Sequence, residues 1–328
     1  MRLIFFNFIT VVIIFISLEF FLRFFNIITL QGYEKNTFFT EDNTVYHLPN
    51  ITKKVMGKKS KTDTNGFRIP LKKFDYDKNL KSILILGDSV SFGVGVEEKN
   101  TFVGILRKKV NYNFYNTSVS GHRVENYSFL LKKYHKQFPQ VEKFLIFLCL
   151  NDIAATDGVL RKEHIKIRDN NRNFFISFLK KKNFIEINLY LREKLAVFNL
   201  AKALGTQNVK RHYDYIIPFY ENNLMLQDFE KNIKNIVDYS KRNEIDVKFV
   251  LLPYKQQIKK KCLPEMMKPQ KQINSLFQRI NYQLFDFSEE FCNKNNNNKL
   301  FLNFDPMHLS KDGHKFVSEL VLKEGVIN

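Results

Sequence analysis

The stretch "ILILGDSVSFGVG", residues 83 to 95, decides how the chain reads. Four apolar residues, mostly branched, run straight into Gly87, Asp88 and Ser89, and the chain then stays small and glycine-rich through Gly93 and Gly95. A short continuous apolar run ended by a glycine turn is the pattern of a strand buried on both faces. Its ending on Gly-Asp-Ser admits two readings. One is an ordinary strand-to-helix connection; the other is a serine nucleophile presented at the end of a sheet.

Outward from this stretch, strand-like and helix-like segments alternate. "SILIL" (82–86), "YNFYN" (112–116), "KFLIFLCL" (143–150) and "DVKFVLLP" (246–253) read as buried strands. "TFVGILRKKV" (101–110), "VENYSFLLKKYHKQF" (124–138) and "LMLQDFEKNIKNIVDYSKRN" (224–243) carry apolar residues at helical spacing, and Ser310 is placed to cap a last helix. This alternation predicts an α/β domain over 81–328, with a parallel sheet covered on both faces. Residues 157–222, rich in Lys, Asn and aromatics, break the rhythm. They are expected to be an insertion and lid near the carboxyl edge of the sheet, where ligands of α/β proteins bind. Residues 26–80 are polar with little periodicity and are expected to form an extended stalk or a segment draped over the domain. They include "TNGFRIP" (64–70), a turn signal followed by an aromatic and an arginine.

Residues 1–25 read as a transmembrane anchor. Leu3 to Phe25 contains neither Gly nor Pro, and as a helix it would span about 34 Å, enough for a bilayer core. Glu19 and Arg23 stand four apart with the acid first, the favourable order for a helical pair. The rival is a cleaved signal peptide, but "FFNIITLQGYEKN" offers no small-residue cleavage site. The lysines at 53, 54, 58, 59 and 61 would by the positive-inside rule hold the domain in the cytoplasm, yet they lie well past the span, where the rule weakens.

The 328 residues carry 52 Lys and Arg against 33 Asp and Glu, a formal charge of +19. That balance favours anionic partners, but no zinc-finger spacing, RNA-binding signature or concentrated basic helix is present, so no specific nucleic-acid partner is expected. Cys149, Cys262 and Cys292 show no CxxC spacing, and neither metal nor cofactor is expected. Cys149 sits in an apolar run and reads as core. Cys262 and Cys292 either pair in an oxidising compartment or remain free thiols. The oligomeric state is not legible.

Three loops follow the first three strands: Gly87-Asp88-Ser89, "NTSVSGH" (116–122) and "CLNDIA" (149–154). In a parallel sheet all three lie on one edge. Near the end of the chain comes "FDPMHLS", with Asp305 and His308 three residues apart, able to supply an acid and a base from one turn. Singly each signal is weak: Asn-Asp can merely cap a helix, Gly121 can merely allow a positive φ, and His314 reads as a packing residue. Together, and in this order, they resemble the SGNH or GDSL-type hydrolase superfamily. Cys149 departs from the pattern, since the family has glycine there; "NGFR" resembles an extension found in a subset of members.

The resemblance implies a three-layer, flavodoxin-like α/β/α fold with the anchor preceding it. It also implies roles: Ser89 as nucleophile, His308 as base and then acid, and Asp305 as its orienting acid. The oxyanion donors would be the N–H groups of Ser89 and Gly121 and the amide of Asn151, with Asp88 and Asp152 bracing their turns. The activity expected is an O-acetyl or O-acyl esterase on a cell-envelope glycan or glycolipid, with the catalytic domain outside the cytoplasm. An O-acyltransferase, a lipase or thioesterase, and an inactive glycan-binding or assembly protein are the alternatives.

Overall fold

Strand β6, Ser82–Leu86, is buried along its whole length and lies inside a sheet of eight strands in the computed structural model, which describes residues 2–154 and 182–328. The chain enters through helix α1 (Arg2–Phe24) and a separate hairpin, β1 (Phe38–Glu41) with β2 (Thr44–His47). Strands β3 (Thr52–Val55), β4 (Lys58–Thr62) and β5 (Arg68–Ile69) come before β6, and β7 (Asn113–Asn116), β8 (Val141–Leu148), β9 (Asp246–Leu251) and β10 (Leu284–Asp286) after it. The order across the sheet is β10-β9-β8-β6-β7-β5-β4-β3. The five strands from β10 to β7 are parallel, and β5, β4 and β3 continue the sheet antiparallel.

The helices between strands are α2 (Ser89–Phe92), α3 (Phe102–Lys109) and α4 (Val124–Gln137). After the undescribed stretch come α5 (Lys182–Lys194), α6 (Ala196–Gly205), α7 (Asn208–Tyr220) and α8 (Asn223–Arg242). Then follow α9 (Lys255–Lys259), α10 (Lys268–Arg279), α11 (Ser288–Asn293) and α12 (Lys311–Lys323). From β6 the chain steps one way to β7 and then back past β6 to β8, so right-handed crossovers put α3 and α4 on opposite faces. Helix α12 packs on α3, and α8 on α4, giving three layers. The reversal leaves a crevice at the carboxyl ends of β6 and β8, where α/β ligands bind. Ser89 and Asn151 follow those two strands. Of the expected insertion, residues 182–222 form α5 to α7, with α7 held to the strand β8 end by the Tyr220 hydroxyl on the Leu150 carbonyl at 3.0 Å. Residues 157–181 of that expectation lie outside the described residues.

The segment 26–80 differs from the expected stalk. Its strands β3 to β5 complete the sheet, the β3–β4 turn falling at Met56-Gly57, both with positive φ (47° and 77°), the geometry of a two-residue hairpin matched to strand twist. "TKKV" and "KKSKT" escaped a strand reading because they form the solvent-facing end of the sheet and bury few side chains. Lysines on such an edge discourage pairing with another chain. Arg68 explains the NGFR signal. It is fully buried, and donates from Nη1 to the Phe92 and Gly93 carbonyls and from Nη2 to Val96 at 2.6 Å. Its guanidinium lies 4.7 Å from the Phe92 ring centroid, and Phe92 stacks on His47 at 4.2 Å. These carbonyls close helix α2, so a residue from the N-terminal segment clamps the element that carries Ser89. Burial draws Arg68 down to about 10, still charged at neutral pH.

Helix α1 is long and apolar enough to cross a membrane. Its last turn is joined to the domain. Leu22 is buried, and the Glu19 carboxylate accepts from the N–H groups of Ala196 and Val197 at 2.9 and 2.8 Å, capping α6. Arg23 binds Glu19 at 2.6 Å, as the four-residue spacing predicted, and also the Lys194 carbonyl. Cys262 and Cys292 form a disulfide with Cα atoms 6.1 Å apart, resolving a pairing the sequence left open, while Cys149 is a buried free thiol.

Replacing Arg68 with Met would leave three buried carbonyls without a donor. The expected loss is on the order of 3–5 kcal/mol, read as a lowered urea midpoint with unchanged slope. A midpoint equal to wild type would show that the clamp carries no stability.

Candidate active site

The strand ends at Gly87 because the next turn folds back on it: a Cβ there would sit 2.3 Å from Ser91 Oγ. Asp88 then caps α2, its Oδ1 accepting from the Val90 N–H at 2.8 Å. This leaves Ser89 as the first residue of the helix, with its side chain at the sheet edge. The Ser89 Oγ is 2.8 Å from Nε2 of His308. Nδ1 of His308 is 2.8 Å from Oδ2 of Asp305. The other oxygen of Asp305 accepts from the N–H groups of Met307 and His308 at 3.0 and 2.8 Å, so the acid is locked by its own turn. Lys255 supports that loop, its Nζ on the Leu302 carbonyl at 2.8 Å and its N–H on Pro306 at 2.9 Å. Hydroxyl, imidazole and carboxylate form one hydrogen-bonded chain from residues 219 positions apart.

The other two expected residues flank the hydroxyl. Asn151 donates from Nδ2 to Asp88 Oδ2 at 3.0 Å, and its Oδ1 accepts from the Tyr254 hydroxyl at 2.8 Å. These two bonds fix which end of the amide carries nitrogen and leave its second N–H unused. The loop 116–121 is held to the nucleophile turn by Asn116 Nδ2 on the Ser91 carbonyl at 3.1 Å and by the Val119 N–H on Gly87 at 3.2 Å. Gly121 has φ +89°, and a Cβ there would meet nothing within 4 Å. Glycine is required here by backbone conformation, with open space in front of it for a ligand. Among the described residues, no hydrogen bond occupies the N–H of Ser89 or of Gly121. Asp152 braces its turn, accepting from Cys149 N–H at 2.8 Å and Tyr127 hydroxyl at 3.0 Å. His314 is buried packing, with Nδ1 accepting from the Phe102 N–H at 3.3 Å.

Electrostatics follow from these contacts. Burial pulls His308 down, but the charge and hydrogen bond of Asp305 and the charge of Asp88 outweigh it, so its pKa is raised above the ordinary 6.5. Burial alone would raise Asp305; the imidazolium charge, its hydrogen bond and two backbone donors instead hold it below the ordinary range. Asp88 is raised, because burial exceeds the help of Asn151 and Val90.

Several residues at the site carried no sequence signal. Tyr254 orients Asn151 across 103 positions. His212 in α7 stacks on Tyr254 with ring centroids 5.5 Å apart, and burial pushes it down to about 4. Tyr33, from the N-terminal segment, donates to Ser120 Oγ at 3.0 Å, next to Gly121. None belongs to a local motif, and only the fold brings them to this edge.

A hydroxyl, imidazole and carboxylate linked at the carboxyl edge of a parallel sheet is the geometry of a Ser–His–Asp triad. No protein-family model and no curated protein matches the chain. Among solved structures, similar chains are esterases and lipolytic proteins. The psychrotrophic esterase EstA from Pseudoalteromonas sp. is 13% identical, with 76% of this chain and 100% of that chain covered and a TM-score of 0.40. The acetyl xylan esterase AlAXEase is 12% identical, with 74% and 98% covered and a TM-score of 0.41. A member of the lipolytic protein G-D-S-L family from Veillonella parvula DSM 2008 is 12% identical, with 74% and 96% covered and a TM-score of 0.39.

Two outcomes are expected from this geometry. With neutral His308 as the expected base, its raised pKa would bring protonation at higher pH, and the acid limb of kcat/KM for an ester should turn above pH 6.5. Asp305→Asn should move that inflection down and cost roughly 10⁴-fold in kcat; a pH profile unchanged by this variant would contradict the assignment. Asn151→Ala should lower kcat by about 10²–10³ and also lower the melting temperature, since Asp88 and Tyr254 lose a partner. A change confined to KM would mean the amide binds ground-state substrate.

Proposed function

We propose that this chain is a membrane-anchored serine ester hydrolase that removes acyl groups from a glycan or glycolipid of the cell envelope. The observation that carries the reading is the unbroken hydrogen-bonded chain Ser89–His308–Asp305, with the free N–H groups of Ser89, Gly121 and Asn151 beside it. Ser89 Oγ attacks the ester carbonyl as its proton passes to Nε2 of His308. The carbonyl oxygen becomes an oxyanion, met by those three donors. The intermediate collapses, the alcohol leaves with the proton from His308, and Ser89 keeps the acyl group. Water, deprotonated by the same imidazole, then releases the acid and restores Ser89. Asp305 stays ionised throughout and balances the imidazolium.

Three features support the membrane and the extracytoplasmic side. Glu19 and Leu22 of α1 bond to or pack on α6 and Arg23 bonds the last carbonyl of α5, contacts that a cleaved signal peptide would take away. Helices α5 and α6 beside α1 expose Ile187, Leu189, Tyr190 and Leu204, an apolar surface suited to a bilayer. The disulfide of Cys262 and Cys292 fits an oxidising compartment. The lysines that argued for the cytoplasm belong to the folded β3–β4 hairpin, and such domains translocate despite positive charge.

A fluorophosphonate probe should label wild-type protein on Ser89, and Ser89→Ala should lose both label and ester turnover while keeping its melting temperature. Ester cleavage at the wild-type rate by that variant would sink the mechanism. Purified protein should retain residues 1–25 by intact mass. A carboxyl-terminal phosphatase fusion should be active only if the domain is exported; a purely cytoplasmic signal would overturn the envelope assignment.

A further inference from the structure

Among the described residues, two arginines at the rim of the site lack an ion-pair partner. Arg192 belongs to α5 and Arg211 to α7. The main-chain carbonyl of Arg192 accepts from Gln31 N–H at 3.1 Å, two residues before Tyr33, whose hydroxyl holds Ser120 beside Gly121. Arg211 Nη2 donates to Asn208 Oδ1 at 2.7 Å, and Asn208 donates to the Phe304 carbonyl at 3.1 Å, next to Asp305. Both side chains are half-buried. Among the described residues, Nε of Arg192 and Nη1 of Arg211 are buried without a hydrogen-bond partner, as is Nε2 of the neighbouring His212.

The charges meet at the same place. Burial raises the Tyr33 hydroxyl, and the carboxylates of Asp88 and Asp305 and the guanidinium of Arg192 all act on it. Burial lowers Arg211, and Arg192 lowers it further. Among the described residues neither guanidinium has an ion-pair partner. The other buried arginines here also leave Nε without a partner, but each has a carboxylate or several carbonyls close to its guanidinium: Arg107 pairs with Glu98, Arg68 uses three carbonyls, and Arg123 lies near Asp88 and Asp152. Two adjacent guanidinium groups with orphaned donors are unfavourable in the free protein. A bound carboxylate or phosphate would supply both the charge and the acceptors, in the planar geometry a guanidinium matches.

We propose that Arg192 and Arg211 form an anion-recognition subsite beside Ser89, taking a carboxylate or phosphate carried by the substrate. This rests on the ester-hydrolase reading for its purpose and deepens it by giving the acylated substrate a negative charge. The arginines lie on helices that lead from the α1 contact to the site, so an acidic group on a membrane-borne or membrane-adjacent substrate would meet them.

The test uses full-length protein in neutral detergent at low ionic strength, with glucuronate and sn-glycerol 3-phosphate as probes and glucose and glycerol as their uncharged counterparts, followed by titration calorimetry. At least one anion should bind roughly tenfold or more tightly than its counterpart; which of the two does so distinguishes a carboxylate from a phosphate source. Arg192→Gln and Arg211→Gln should each weaken it by about tenfold, Arg192→Lys should recover part, and Arg279→Gln, a surface arginine paired with Glu230, should change nothing. Anions binding no better than neutral probes, or well-folded glutamine variants binding like wild type, would overturn the subsite. If those variants do not fold, phenylglyoxal modification of Arg192 and Arg211 in wild type decides: the bound anion should slow it, and no protection overturns the proposal. Fluorophosphonate labelling of the same preparation separates the two readings. Labelled Ser89 without anion binding removes the subsite alone, and anion binding without labelling removes the hydrolase.

Discussion

A single buried carboxylate joins the two halves of the site. One oxygen of Asp88 caps the helix that begins at Ser89, and the other holds the amide of Asn151. Ser89 and Asn151 come from loops after β6 and β8, neighbouring strands on either side of the chain reversal. A charged group fully out of water is tolerated only when its acceptors are filled, and here they are. The cost is visible in the direction of its pKa, which burial raises despite those bonds. The same charge reaches His308, where it adds to Asp305 in favouring the imidazolium. A residue that looks like a turn brace therefore sets helix start, amide orientation and part of the base's electrostatics.

The helix that begins at Ser89 is clamped at its other end as well. Arg68 gathers the carbonyls of Phe92, Gly93 and Val96, so α2, only four residues long, is restrained at both ends by charged side chains. Short helices do not hold their shape by propensity; this one is held by tertiary contacts. That makes residues 26–80 part of the machinery's frame. Their strands extend the sheet, His47 stacks beneath Phe92, and Tyr33 reaches the Gly121 loop.

Helices α5, α6 and α7 form a continuous path between the apolar entry helix and the Ser89 edge. Glu19 caps α6, α5 carries Arg192 and receives Gln31, and α7 carries Arg211, His212 and the Asn208 bond to Phe304. The end of α1 and the wall of the site are thus parts of one packed unit, and the distance from the apolar helix to the hydroxyl is set by folded structure and not by a loose tether.

By itself the sequence determined the parallel core and the motifs that gather at its carboxyl edge. Strands β6 and β8 are largely apolar runs, β7 and β9 carry an apolar pair and triplet beside polar residues, and Gly87-Asp88-Ser89, Gly121 and Asn151 stand in short motifs after β6, β7 and β8, with Asp305 to His308 in a fourth near the end of the chain. Tertiary structure decided the rest. Strand β10 is three residues long and β5 two, and β3 and β4 are half-exposed and lysine-rich, so none has a period to read. The pairing of Cys262 with Cys292, the Tyr254 bond to Asn151 across 103 positions and the Asn208 bond to Phe304 across 96 are contacts between distant segments. Spacing along a chain records which face of a helix or strand is buried; it does not record which distant side chain lies against that face, because that is fixed only when the layers pack.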